Sequence, residues 1–270
     1  KNSKNLNFEA FCELIIQKHD FIVYALIYIF AKLKISGQVL FSLLTFFTLF
    51  NIYSVYEKIV KKTQISNSYY LLGIIVIFMS FELLGLYSGI RNLLGASIVL
   101  VAFYKGLFEK KKIKAAILLA IACFTHFSMV LFIPVFLFGI ISPIKKKLGL
   151  YIYLFSFLFL FISKKNLYDF ALLLPLPESF NFKIEFYLLG LDSLEQGFID
   201  SKAAYISHLI RTSWIYFAHL YIFITYKRES SFRFVVILLL CILNFFSMTT
   251  DIQLRMTYFI QPMFIFLLFY

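Results

Sequence analysis

Long apolar runs separated by short polar connections dominate this 270-residue chain. A membrane-spanning helix needs about 20 predominantly apolar residues. On that measure about nine runs predict spans: 39–56, 69–86, 92–108, 113–125, 127–141, 148–162, 205–226, 234–248 and 256–270. The pattern predicts an all-α, polytopic integral membrane protein, a single transmembrane domain over residues 1–270 with about nine to ten membrane helices. Residues 1–37 hold apolar stretches too interrupted to cross, and 21–33 predicts an amphipathic helix lying at the outer interface. Residues 163–204 form a long outer segment containing PLPESF (175–180) and the acids Asp169, Glu178, Glu185, Asp192, Glu195 and Asp200. A loop of that length with its own Leu, Phe and Tyr predicts a folded cap. The chain opens at Lys1 and stops inside an apolar run, so a first helix and some C-terminal sequence are expected beyond it.

Composition agrees with the pattern. Hydrophobic residues make up 61% of the chain, aromatics 20% and charged residues 15%, with a mean hydropathy of +0.87. No soluble domain hides that much apolar surface in one core, so the lipid bilayer is the expected solvent. Cys12, Cys123 and Cys241 are too scattered for a disulfide framework or a metal cluster. The chain has no CxxC, HExxH, GxxxxGK or GxGxxG pattern, which removes support for metal hydrolysis, ATP hydrolysis and nucleotide cofactors. No metal or cofactor is expected.

Charge sets the orientation. Lys58, Lys61 and Lys62, then Lys105, Lys110, Lys111, Lys112 and Lys114, then Lys145, Lys146 and Lys147, then Lys227, Arg228 and Arg233 recur at every second connection. By the positive-inside rule these connections are cytoplasmic. The net charge of +12 therefore finds its counterpart in anionic inner-leaflet lipid and calls for no nucleic acid.

Against that background Arg91 is the most unusual residue. It lies within an apolar stretch (73–103) whose only acid is Glu82. A guanidinium at the centre of a membrane helix costs roughly 3 kcal/mol, so its default reading is functional. Arg91, Arg211 and Arg255 all fall at or just inside the outer face, where lipid charge does not require them. A guanidinium fork matches phosphate in a bidentate way that a lysine does not, and three of them converging would suit a pyrophosphate. The alternative is interfacial snorkelling or pairing, Arg91 with Glu82 and Arg255 with Asp251. His126 is the second unusual placement: two short arms, 113–125 and 127–141, meet there, predicting a broken hairpin within the outer half of the membrane. His208 and Arg211 are three apart and share a helix face.

The run 89–138, GIRNLLGASIVLVAFYKGLFEKKKIKAAILLAIACFTHFSMVLFIPVFLF, resembles the core of EpsG-like polysaccharide polymerases, a branch of the Wzy-type polymerases of O-antigen and exopolysaccharide. The family pattern is an Ile-Arg at the outer start of a helix, a basic inner loop, and a helix ending in a His followed by Ser. Arg91 and His126 match it, and Arg255 with Tyr258 fits a late Arg-x-x-Tyr; Asn92 departs from the family's frequent Gln. The resemblance implies a glycosyltransferase C-like architecture in the bacterial inner membrane with its active site facing outside. It implies transfer of a growing glycan from undecaprenyl pyrophosphate to the terminal sugar of a lipid-linked repeat unit, without a metal, and leaves room for a chain-length regulator as partner. Arg91, His126 and Arg255 are then the catalytic candidates. Arg211, His208, Glu82, Asp251, Tyr87, Tyr258, Asn92 and Glu195 are the substrate-binding candidates. A flippase of lipid-linked oligosaccharide and a ligase-like glycan transferase share these features in part.

Overall fold

The computed structural model describes residues 11–12, 21–79, 89–141, 146–175, 181, 184–185, 188–189, 201–225, 230–247 and 249–268. Every regular element among them is helical. In chain order they are α1 (Phe21–Lys32), α2 (Gly37–Thr63), α3 (Asn67–Met79), α4 (Ile90–Leu107), α5 (Lys112–Thr125), a 3₁₀ turn (Phe127–Leu131), α6 (Phe132–Ile141), α7 (Lys146–Ser156), a second 3₁₀ turn (Phe157–Phe161), α8 (Lys164–Leu172), α9 (Lys202–Ile224), α10 (Ser231–Phe245) and α11 (Thr250–Leu268). They form two compact units, one comprising Lys1–Ser142 and Gln261–Tyr270, the other Pro143–Ile260.

Each predicted apolar run carries a helix, but length separates them. Two described helices, Gly37–Thr63 and Ile90–Leu107, are long and apolar enough to cross a bilayer. A third counts if Leu148–Phe161 and Lys164–Leu172, bent by 103°, form one broken span. The expected nine to ten spans are therefore not all supported by the described helices. The physical reason is rise per residue: the 14 residues of α5 cover about 21 Å, short of the roughly 30 Å of hydrocarbon. Helix α8, started by the Ser163 hydroxyl accepting from the Asn166 amide at 3.1 Å, gives regular structure to the first part of the expected outer segment.

In the first unit α4 is the axis, packed on α2 and α5. Leu93, Ala96, Val99, Leu100, Ala102 and Phe103 are buried all around it. Helix α2 has two apolar faces. Leu40, Leu44, Ile52, Val55, Tyr56 and Ile59 turn inward, while Val39, Leu43, Phe46, Phe47 and Phe50 are exposed. An apolar outer face on a helix of this length is what lipid contact requires. Between the two helices Asn51 donates to Ser97 at 3.2 Å, and Ser97 donates to the Leu94 carbonyl at 2.8 Å, so the buried hydroxyl is used twice.

In the second unit α7, α9 and α10 share polar contacts. The Tyr153 hydroxyl meets His219 Nδ1 at 2.6 Å, Asn244 donates to the Ser156 hydroxyl at 2.9 Å, and Gly149 lets the Phe234 ring approach. Arg233, one of the basic residues expected at a cytoplasmic connection, is buried at 5% exposure. It donates to the Ile222 carbonyl at 2.6 Å and to the Thr225 hydroxyl, so it caps the C-terminal end of α9, where the helix dipole favours a cation.

The basic connection between α4 and α5 has its own clasp. Lys111 donates to Glu109 at 2.7 Å and Lys105 reaches both carboxylate oxygens at 2.9 Å. These bonds, Lys111 first, lower the Glu109 carboxyl from its ordinary 4.5 to about 2. A depressed carboxylate contributes stability that is complete above its unfolded value and is lost as pH falls through the folded one. Thermal unfolding of the detergent-solubilised protein is therefore expected to lose this contribution between about pH 4.5 and about pH 2. Glu109→Gln should flatten the pH dependence in that window, and an unchanged profile would remove the clasp from the account of stability.

Candidate functional site

Helix α4 begins at Ile90 after Gly89, which places Arg91 in its first turn, with no acid in that turn. The N-terminal end of a helix carries about half a positive charge and unpaired amides. Adding a guanidinium there is unfavourable for the helix alone and favourable for binding an anion. Arg91 is half-buried; its Nη1 donates to the Tyr24 hydroxyl at 3.2 Å, and its guanidinium carbon lies 5.6 Å from the Tyr24 ring centre.

The break at His126 is present. Helix α5 ends at Thr125, whose hydroxyl turns back to the Ile121 carbonyl at 2.8 Å. His126 is extended, with φ −154° and ψ 121°. Its carbonyl accepts from Met129 at 3.0 Å to start the 3₁₀ turn, and α6 follows. Pro134 falls in the first turn of α6, the one place in a helix where a missing N–H is cheap.

What joins the break to Arg91 is Gly95. A Cβ placed on Gly95 would stand 2.9 Å from Met129 Cγ, 3.3 Å from Met129 Sδ and 3.4 Å from His126 Cβ. The segment 126–129 thus lies directly on the bare backbone of α4. Arg91 is four residues before Gly95, and such neighbours have Cβ atoms about 5–6 Å apart. His126 Cβ and Arg91 Cβ are therefore within roughly 10 Å of each other. Ser128 donates to Asn92 Oδ1 at 3.5 Å, closing the same contact. Asn92 is buried at 6% exposure and is a strut between α4 and the break.

The structure thus brings Arg91, Asn92 and His126 together in the first unit. His208, Arg211, Asp251, Arg255 and Tyr258 belong to the second unit. His208 and Arg211 are both on α9, where the His208 carbonyl accepts from Thr212 at 2.9 Å. Arg255, exposed, and Tyr258, half-buried, lie three apart on α11. The Arg211 and Asp251 side chains, and all of Glu82, Tyr87 and Glu195, lie outside the described residues. Among the described residues no three of His, Cys, Asp and Glu gather into a metal-holding group.

Two residues of this site are not evident from the sequence: Tyr24 and Gly95. Gly95 carries a usable signal, since a small residue inside a buried membrane helix marks close approach of another backbone. Tyr24 carries none, because tyrosine is ordinary at an interface.

A family model described as the EpsG family matches residues 1–270, the whole chain. No curated protein and no solved structure matches it.

Proposed function

The chain belongs to the EpsG family, a Wzy-like polymerase family, and we propose from that premise that it extends polysaccharide at the outer face of the bacterial cytoplasmic membrane. Membership and the apolar helices make it a membrane protein with a polysaccharide polymerase-like function. In the proposed reaction a hydroxyl of the terminal sugar on a lipid-linked repeat unit attacks the anomeric carbon of the growing glycan. The new glycosidic C–O bond forms as the bond to undecaprenyl pyrophosphate breaks. The bonding electrons leave with the diphosphate, and the hydroxyl proton passes to His126 or to the departing diphosphate. Arg91, together with the positive end of α4, stabilises the charge that grows on the leaving group. Arg255 and Arg211 are proposed as further phosphate ligands, with His208, Tyr258, Asp251, Glu82, Tyr87 and Glu195 as substrate contacts.

The observation that supports this best is the seating of the His126 break on Gly95, one helical turn from Arg91. A separation of roughly 10 Å between the His126 and Arg91 Cβ atoms, at the end of a helix that favours anions, supports a shared role for the two.

Purified protein in lipid vesicles, supplied with undecaprenyl-pyrophosphate-linked repeat units, is expected to release one lipid pyrophosphate for each unit added and to build a ladder on a gel. Growth should need no ATP and should survive EDTA. Units that cross the bilayer without lengthening would replace this reading with a flippase.

A further inference from the structure

We propose that Tyr24 is a positioning residue for Arg91, and that the apolar helix α1 is the arm that holds the guanidinium in place. The role assigned to Arg91 rests on the polymerase reading; the contact itself does not. The argument begins with a shared core. Val23 on α1, Leu40 and Leu44 on α2, and Ile90 and Leu94 on α4 form one buried cluster, with Leu26, Ile27, Phe30, Phe41 and Ile98 packed against it. Val23 is 2% exposed and Ile90 is 4% exposed. Tyr24 and Arg91 each follow one of these two core residues directly in sequence. Packing Val23 and Ile90 into one cluster holds their neighbours near each other, in keeping with the 3.2 Å hydrogen bond.

The chemistry of the pair suits positioning. Arginine has a long, freely rotating stem, and ordering it costs free energy whenever it must act in one place. A phenol fixed on a packed helix takes one of the five N–H groups, while its ring stands beside the guanidinium carbon. Accepting that bond leaves the phenol's own proton available to an anion held by the same guanidinium. A phenol held on a packed helix orients one edge of the guanidinium without adding a charge of its own.

Two substitutions separate the hydroxyl from the packing. Tyr24→Phe keeps the ring and the cluster, and Tyr24→Leu removes both hydroxyl and ring. In vesicles with lipid-linked repeat units, Tyr24→Phe is expected to lower kcat on the order of tenfold with an unchanged thermal midpoint, and Tyr24→Leu to lower it further. In an Arg91→Ala background Tyr24→Phe should have no additional effect, the non-additivity expected of two groups acting as a unit. Wild-type kcat in Tyr24→Phe, or losses that simply multiply with those of Arg91→Ala, would overturn the proposal. Binding of inorganic pyrophosphate to the same full-length proteins is a readout that does not need the polymerase reaction. If wild-type protein makes no polymer, the functional reading fails, and the pairing is decided by pyrophosphate alone. Non-additive weakening by Tyr24→Phe and Arg91→Ala upholds it, and wild-type affinity in Tyr24→Phe overturns it.

Discussion

Arg91→Ala is expected to lower kcat for chain extension by roughly 10³-fold, the scale on which a single arginine acts on a departing phosphate. Two positive sources meet at this point: the guanidinium and the first turn of α4, which contains no acid. The helix end alone supplies about half a charge and no directed fork, so deletion leaves the weaker source. Because the guanidinium also meets the phosphate before reaction, KM should rise along with the fall in kcat. Arg91→Lys keeps the charge but loses both the planar fork and the geometry of the Tyr24 bond, and recovery of no more than about tenfold is expected. In cells lacking the gene, a plasmid carrying Arg91→Ala should yield a single capped repeat unit where the wild type yields a ladder. A normal ladder from folded, membrane-inserted Arg91→Ala would end the assignment of Arg91 to catalysis.

The sequence and the structure agree best where apolar length is the deciding quantity. The expected span 92–108 is observed as the membrane-length helix Ile90–Leu107, whereas the run 113–125 forms the helix Lys112–Thr125, whose bounds match but whose length falls short of a crossing. The break at His126 was legible for the same reason: two arms too short to cross must turn where they meet. Apolar pattern does not distinguish an α-helix from a 3₁₀ turn, so Phe157–Phe161 and the 103° bend into α8 had no visible cause. The burial of Arg233 was not legible, because a count of basic residues sees charge and not the carbonyls of another helix's end. Arg91 and His126 stand out by their cost in an apolar stretch. Tyr24 does not, since what makes it part of the site is contact between segments far apart in the chain.

Gly95 supplies the second large effect. An added methyl would meet Met129 Cγ at 2.9 Å, closer than side chains tolerate, and Met129 is itself only 1% exposed. Overpacking a buried site costs about 1–3 kcal/mol, while Gly→Ala within a helix gains up to about 1 kcal/mol. The global stability of Gly95→Ala should therefore change little, because part of the clash is relieved by moving the segment that carries Met129 and His126. That movement is the functional cost: a displacement of about 1 Å in a reacting group is worth on the order of 10²-fold in rate. Gly95→Ala is expected to lose about tenfold in kcat and Gly95→Leu more than about 10²-fold, with both proteins still inserted in the membrane. Relief should come from the other side of the contact. Met129→Ala removes the Cγ and the Sδ, the two nearest atoms that the new methyl would strike, and leaves the His126 Cβ at an ordinary 3.4 Å. Gly95→Ala combined with Met129→Ala should then be more active than the product of the two single losses, a coupling measurable in a double-mutant cycle. Strictly multiplicative losses would mean that Gly95 does not act through the seating of the break, and that His126 reaches its place beside Arg91 by another contact.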